Sequence, residues 1–271
     1  MTKKQVKKLF KVVVPTVLLL YFVPWLVVFY TVCGLIDVSR HRRWEWVLLE
    51  KYFFGNGILT WLLAPLNLVF DLFSLRHPYR LQLDDFPDQQ RAEIQRVLDV
   101  FNAKRDAIVD DLRVKMAGRQ RGMQFYKWYG KNTDDFIPEF NQEFKFVKTI
   151  GVSVFNSHER TRLHFGPLRA TVRLLYNLTP RQSEKIFIEV NNEKHYWHDD
   201  PLFIFDDTIQ HRSINDEDGE RFCVFVDVLR PTWAPGILSS MLTALQVLLK
   251  GFNHVFYKNW DMLGGQKAQK A

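Results

Sequence analysis

FKFVKTIGVSVF (Phe144–Phe155), LRATVRLLYNL (Leu168–Leu178), KIFIEV (Lys185–Val190), HYW (His195–Trp197), LFIF (Leu202–Phe205) and RFCVFVDVL (Arg221–Leu229) are the runs that decide the fold. Each is short, rich in β-branched and aromatic residues, and bounded by turn formers such as Asn191-Asn192-Glu193-Lys194 and Asp216–Gly219. Strands this short, with no helical period between them, predict an antiparallel sandwich or barrel over 144–232.

Upstream, Asp84-Asp85-Phe86-Pro87-Asp88 reads as a helix start. Ile94, Val97, Leu98, Phe101, Ile108, Val109 and Leu112 then recur mostly three and four apart, and Gly118 ends the pattern. This predicts an amphipathic helix packed on the β domain within a lead-in of residues 81–143. Arg119, Arg121, Lys127 and Lys131 interleave with Phe125, Tyr126, Trp128 and Tyr129. No nucleic-acid motif accompanies them, so lipid phosphate is the partner this stretch suits. Downstream, Ile237, Leu238, Met241, Leu242, Leu245, Leu248 and Leu249 predict an amphipathic helix within residues 233–271. It could dock on the barrel or lie on the bilayer, and Trp233 and Trp260 at its ends favour the bilayer.

The amino-terminal region, residues 1–80, reads as a membrane anchor. Val12–Ile36 carries no charge and is long enough for a transmembrane helix. A second apolar stretch, residues 52–74, is uncharged as far as Phe70 but contains Gly55, Asn56, Gly57, Pro65 and Asn67. It fits a span, a re-entrant segment or an interfacial one. Lysines at 3, 4, 7, 8 and 11 precede the first run and Arg40, Arg42 and Arg43 follow it, so charge leaves the orientation open.

Composition excludes several classes. The 271 residues carry a net charge of +7, and 47% hydrophobic against 25% charged content rules out global disorder. Cys33 and Cys223 are the only cysteines, which excludes a disulfide scaffold and a zinc motif of CxxC type. Of eight histidines, His164 and His211 differ from the rest: each lies at a strand edge with cationic or hydroxyl residues on neighbouring strands.

The stretches His164-Phe-Gly-Pro-Leu-Arg-Ala-Thr-Val-Arg173, Ile204-Phe-Asp-Asp-Thr-Ile-Gln-His211 and Arg221-Phe-Cys-Val-Phe-Val-Asp-Val-Leu-Arg-Pro231 resemble, in order, the three motifs of the aspartyl/asparaginyl β-hydroxylases. The resemblance runs from about Ser153 to Pro231. It implies a double-stranded β-helix, jelly-roll or cupin-like in form, flanked here by helices and the anchor. Enzymes of this kind use iron(II), 2-oxoglutarate and O₂. Phe125-Tyr-Lys-Trp-Tyr-Gly130 and the apolar amino terminus are similar to the bacterial lipid A hydroxylases, which act at C2 of an acyl chain.

By this resemblance His164 and His211 are the catalytic metal ligands. Arg221 binds the distal carboxylate of 2-oxoglutarate, Ser153 is its hydroxyl partner, and Arg173 stands near the metal-bound end. The implied partner is a membrane lipid, with no nucleic acid, and the implied location is the cytosolic face of an inner membrane. Two positions depart from the pattern. Gly166 stands where the lipid A branch has a carboxylate, as in peptidyl aspartyl/asparaginyl hydroxylases, and Leu175 stands where a supporting histidine is frequent. A peptidyl hydroxylase and a catalytically degenerate membrane scaffold are the alternatives these departures raise. Asp206 and Asp207 read as turn residues.

Overall fold

The computed structural model describes residues 21–75, 78–249 and 260–264. In the amino-terminal part, helices α1 (Pro24–Val38), α2 (Trp46–Phe54), α3 (Ile58–Leu62) and α4 (Ala64–Phe73) form one apolar layer. Two helices, α5 (Asp88–Ala103) and α6 (Arg105–Lys115), follow where one was expected, and α7 (Pro235–Leu249) comes after the β region.

The strands form two antiparallel sheets, apart from one parallel edge. The larger runs β1 (Arg80–Leu81), β9 (Leu202–Phe205), β6 (Thr171–Asn177), β11 (Arg221–Leu229), β4 (Val147–Phe155), β2 (Arg121–Trp128) and β12 (Asp261–Met262), with β3 (Lys131–Asn132) beside β2. The smaller runs β5 (Glu159–Arg160), β10 (His211–Asn215), β7 (Ile186–Val190) and β8 (Glu193–Tyr196).

Strand period 2 explains the layering. In β11, Phe222, Val224, Val226 and Val228 join the core formed with α5, α6 and α7, which includes Ile94, Phe101, Leu112 and Leu238. Cys223 and Phe225, on the opposite face, pack with Ile186, Ile188 and Val190 of the smaller sheet. Both faces are covered, so all nine β11 residues are buried.

Of the expected span over Val12–Ile36, residues 12–20 lie outside the described part, and no helix among the described residues is long and apolar enough to cross a membrane. The described remainder enters α1, which is 15 residues long. Its last turns are held by the domain, where Cys33, Gly34, Asp37 and Val38 are buried. A Cβ at Gly34 would stand 2.6 Å from Trp61 Cδ1, so glycine is what lets α1 lie against α3.

The second run is broken by Gly55-Asn56-Gly57, restarts as α3 and then again as α4, with Pro65 in its first turn. Its polar residues serve the β domain. Asn56 Nδ2 donates to the Leu163 carbonyl (2.7 Å), Thr60 Oγ1 to that of Gly166 (3.0 Å), and Asn67 Nδ2 to that of Pro167 (3.2 Å). Asn67 Oδ1 accepts from the Arg169 N–H at 2.9 Å. Phe165, next to His164, inserts among Val38, Leu48 and Tyr52. The apolar layer thus grips the first-histidine segment.

A buried charge lattice fastens the same layer. Asp206 lies 2.5 Å from Arg40 Nη2 and 2.7 Å from Arg230 Nη2, and Arg169 pairs with Asp37 and Asp71. Three arginines balance three aspartates. Asp206 does sit in a turn, but as the centre of this lattice, and its neighbours hold its carboxyl well below the usual carboxylate range. Arg169, Arg230 and Asp206 are fully buried.

Two further expectations change. The Arg119–Lys131 stretch forms no single exposed patch. Most of it is β2, whose Phe125 and Tyr126 are interior; Lys127 is buried, and Arg121 pairs with Glu159 at 3.3 Å. Helix α7 turns Leu238 and Leu242 into the core rather than toward a bilayer.

His41 adds a pH-sensitive joint. Its Nδ1 donates to the Val38 carbonyl (3.1 Å) and its Nε2 accepts from the Gln210 N–H (3.0 Å), an arrangement that only the neutral ring satisfies. Burial brings its pKa down to about 4. A depressed histidine stabilises the fold above its unfolded pKa of about 6.5, and that stability is lost as pH falls toward the folded value. Urea unfolding should therefore lose about 2 kcal/mol between about pH 7.5 and about pH 5 through this residue. His41→Asn should flatten the curve by that amount; an unchanged slope would refute the assignment.

Candidate active site

Ser153, His164, Arg173, His211 and Arg221 line one cavity between the sheets. The lining encloses about 560 Å³ of empty space, part of it open to solvent. Strand alternation places three of the five. Ser153 (β4), Arg173 (β6) and Arg221 (β11) occupy inward positions of the larger sheet, while their sequence neighbours Val152, Val172 and Phe222 face the helices.

The two histidines form an isolated antiparallel bridge. The His164 N–H donates to the His211 carbonyl at 2.9 Å and the His211 N–H to the His164 carbonyl at 3.0 Å. Their ring centroids are 4.2 Å apart. Each Nδ1 lies 2.8 Å from the carbonyl two residues earlier, that of Arg162 or of Ile209. A carbonyl only accepts, so Nδ1 carries the proton and each Nε2 keeps its lone pair. Burial, reinforced at His211 by His164 itself, lowers both pKa values and keeps the rings neutral. Neutral imidazoles with Nδ1 fixed by a backbone carbonyl are the form in which histidine binds a metal.

Arg221 is buried, and its Nη1 donates to Ser213 Oγ at 2.5 Å. Its Cζ stands 4.3 Å over the Phe155 ring, and its Nε has no hydrogen-bond partner among the described residues. Among the described residues no carboxylate forms an ion pair with it. Desolvation pushes its pKa down, the sign of a cation without a counter-charge. A guanidinium held this way is built to receive an anion from outside the chain. Ser153 Oγ, nearby on β4, donates to the Cys223 carbonyl at 3.1 Å.

Arg173 is already engaged, with Asp227 Oδ1 at 2.9 Å and Asp207 Oδ2 at 3.2 Å. Asp207 is the residue that sequence reasoning placed no further than a turn. A Cβ built on Gly166 would lie 2.3–2.5 Å from its carboxylate, so Asp207 fills the space that any side chain at 166 would need. Burial, helped by Asp227, pushes the Asp207 carboxyl up to about 7 against the pull of Arg173. Leu175 points into the cavity as an apolar wall.

Among the described residues no group of three or more His, Cys, Asp or Glu is placed to hold a metal. The donor set is thus two imidazoles, which fit iron(II) with positions left for other ligands. Installing the missing carboxylate by Gly166→Asp should destabilise the protein by about 1–3 kcal/mol, as overpacking does. Adding Asp207→Gly should recover most of that loss in thermal unfolding. Additive effects would show that the two positions do not compete for space.

Sequence reasoning did not place Ser213, Phe155 or Trp260 in the cavity. Ser213 was detectable, two residues after His211 on the same face of β10. Phe155 and Trp260 carried no local signal.

Residues 124–231 match the sequence profile of the family described as Aspartyl/Asparaginyl beta-hydroxylase. A curated relative, the ornithine lipid ester-linked acyl 2-hydroxylase of Rhizobium tropici, is 30% identical over 95 residues. The match covers 35% of this chain and 34% of that protein, so the chain spans about a third of the relative's length. Among solved structures, the viral collagen prolyl hydroxylase of Paramecium Bursaria Chlorella virus-1, in its 2OG complex, is 11% identical with a TM-score of 0.25. It covers 31% of this chain and 59% of that one. A salicylate 1,2-dioxygenase from Pseudaminobacter salicylatoxidans is 10% identical with a TM-score of 0.33, over 54% of this chain and 35% of that one. The histidine segments and the Arg221 strand fall inside the matched stretch, so it is this β region, residues 124–231, that is similar to the aspartyl/asparaginyl β-hydroxylases.

Proposed function

We propose that the protein is an iron(II)- and 2-oxoglutarate-dependent hydroxylase with a double-stranded β-helix core, acting at C2 of a membrane-lipid acyl chain, lipid A in the first instance. The buried guanidinium of Arg221, which has no ion-pair partner among the described residues, carries this reading, because it calls for a carboxylate ligand in the cavity. His164 and His211 would hold the metal through Nε2, and the Ser153 hydroxyl, which donates to the Cys223 carbonyl, would turn to donate to the ligand carboxylate. The bound group supplies the oxidation: C–H becomes C–OH, O₂ gives one oxygen to product and one to succinate, and 2-oxoglutarate loses CO₂. The chain's own residues bind and orient. Arg221 fixes one carboxylate, the Nδ1 protons stay on their backbone carbonyls, and Leu175, Phe205 and Phe225 exclude water from the apolar wall.

A lipid substrate is supported by the exposed side of the helical layer. Trp25 is 84% exposed, Trp46 77%, Leu72 74% and Trp233 61%, and α1 is apolar on every side where it leaves the domain. An apolar patch rimmed by tryptophan suits a bilayer surface, here on the cytosolic side where 2-oxoglutarate and iron(II) are supplied. The Rhizobium tropici relative, named as a hydroxylase of an ester-linked acyl chain, supports the same class.

The test is mass spectrometry of lipid A and ornithine lipid incubated with the full chain, iron(II), 2-oxoglutarate and O₂. An acyl chain heavier by one oxygen, with matching succinate, is expected and should vanish when 2-oxoglutarate is omitted. Succinate without a modified lipid shifts the substrate to a peptide, the class Gly166 favours. No succinate at all refutes the oxygenase reading.

A further inference from the structure

We propose that Trp260, carried on the strap around β12, is a positioning residue for the carboxylate ligand at Arg221; the proposal rests on the reading of that pocket given above. Trp260 lines the same cavity as Arg221 and stands directly before β12, outside the facing strands. The two residues share one ring. Arg221 Cζ lies 4.3 Å over Phe155, and the Trp260 indole packs on Phe155 with centroids 5.4 Å apart and planes tilted by 31°. Arg121 Cζ, itself paired with Glu159 at 3.3 Å, sits 5.9 Å over the indole. The indole is therefore held by an aromatic contact and a cation.

The strap is fastened independently of the cavity. Strand β12 runs parallel to β2, with Asp261 beside Gly122 and Met262 beside Met123, and the Leu263 N–H donates to the Met123 carbonyl at 2.9 Å. Leu263 is buried in the helix-side core. It sits where Gly122 lacks a side chain: a Cβ at 122 would come within 2.6 Å of Leu263 Cδ1 and 2.4 Å of Met116 Sδ. One end of the strap is thus anchored in the core, and the other presents an aromatic plane to the Arg221 pocket.

The physical consequence is shielding. An ion pair strengthens steeply as water is removed, and Arg221 is buried by Phe155 and the sheet on its inner sides. Trp260, half-buried at the cavity wall, excludes water from the remaining side and keeps Phe155 under the guanidinium. Opening that wall weakens the hold on a carboxylate without touching the histidine pair.

The experiment is calorimetric titration of 2-oxoglutarate into the full chain under anaerobic conditions, with manganese(II) added first and its own affinity measured. Trp260→Ala should weaken 2-oxoglutarate by about tenfold, the scale of one lost aromatic contact. Trp260→Phe should stay within about threefold of wild type. Leu263→Ala, outside the cavity, should weaken binding in the same direction through the loosened strap. Manganese(II) affinity should be unchanged in all three, which also reports that the site is folded. Wild-type affinity in both Trp260→Ala and Leu263→Ala overturns the proposal. Failure of the wild type itself to bind 2-oxoglutarate refutes instead the Arg221 reading on which it rests.

Discussion

Arg221→Met should abolish measurable 2-oxoglutarate binding and, in the same protein, raise thermal stability. The two effects share one cause. Arg221 is buried with a single side-chain hydrogen bond, to Ser213, and no ion pair among the described residues. Hydrogen bonds to a charged group are worth about 1.5–3 kcal/mol each, so losing a bidentate pair costs on the order of 10²- to 10⁴-fold in affinity. The unliganded protein meanwhile keeps a desolvated cation inside. Replacing buried charge with a well-packed apolar side chain is commonly neutral or stabilising by about 1–4 kcal/mol. Part of that gain is offset by the guanidinium's contact with Phe155, which methionine sulfur replaces in kind. Calorimetric titration and thermal unfolding of the same two proteins check both halves. Lower stability with intact binding would mean that Arg221 is a structural cation, and the cosubstrate site would have to be sought elsewhere.

That Arg221, Ser153 and Arg173 lie together follows from period 2 in three strands, which the sequence displays openly. Residues 221, 223 and 225 alternate with 222, 224 and 226, and hydrophobicity alone cannot say which set faces a cavity, because both faces are buried. The resemblance resolved that choice. Asp206, Asp207 and Arg169 were opaque for a different reason. Turn aspartates and an arginine near a strand start are ordinary surface residues, and only long-range partners, Asp37 and Arg40 among them, make them interior. Asn56, Thr60 and Asn67 show the same limit. Within an apolar run they resemble flaws in a membrane span, and they become intelligible once their acceptors, the carbonyls of Leu163, Gly166 and Pro167, are brought beside them. The parallel pairing of β12 with β2 joins segments too far apart for any local signal to announce it.

Asp206→Ala should cost about 3–5 kcal/mol, the penalty for removing one partner from a buried charge cluster. The substitution leaves three arginines against two aspartates. Arg230 loses its ion pair at 2.7 Å and Arg40 its close one at 2.5 Å, retaining only Asp37 at 4.0 Å. Neither arginine can shed its proton at neutral pH, so the charge stays and must either find water or move. For a chain of this size the loss corresponds to about 10 °C in melting temperature. Asp206→Asn keeps an oxygen for the Thr208 N–H and hydroxyl, at 3.0 and 2.6 Å, and should cost less. An exposed carboxylate gives the scale for comparison: Asp216→Ala, beside His158 and Arg160, should cost about 1 kcal/mol or less. The site of failure matters as much as its size. Asp37 lies in α1 and Arg40 just past it, whereas Asp206 and Arg230 directly follow β9 and β11 of the larger sheet, so limited proteolysis of Asp206→Ala should cut first around residues 39–45 while the sheets stay protected. Equal losses for Asp206→Ala and Asp216→Ala would show that the lattice is dispensable. The predicted order ties the layer's attachment to the chemistry, because the chain leaving Asp206 reaches His211 within five residues and the layer's other contacts close on His164.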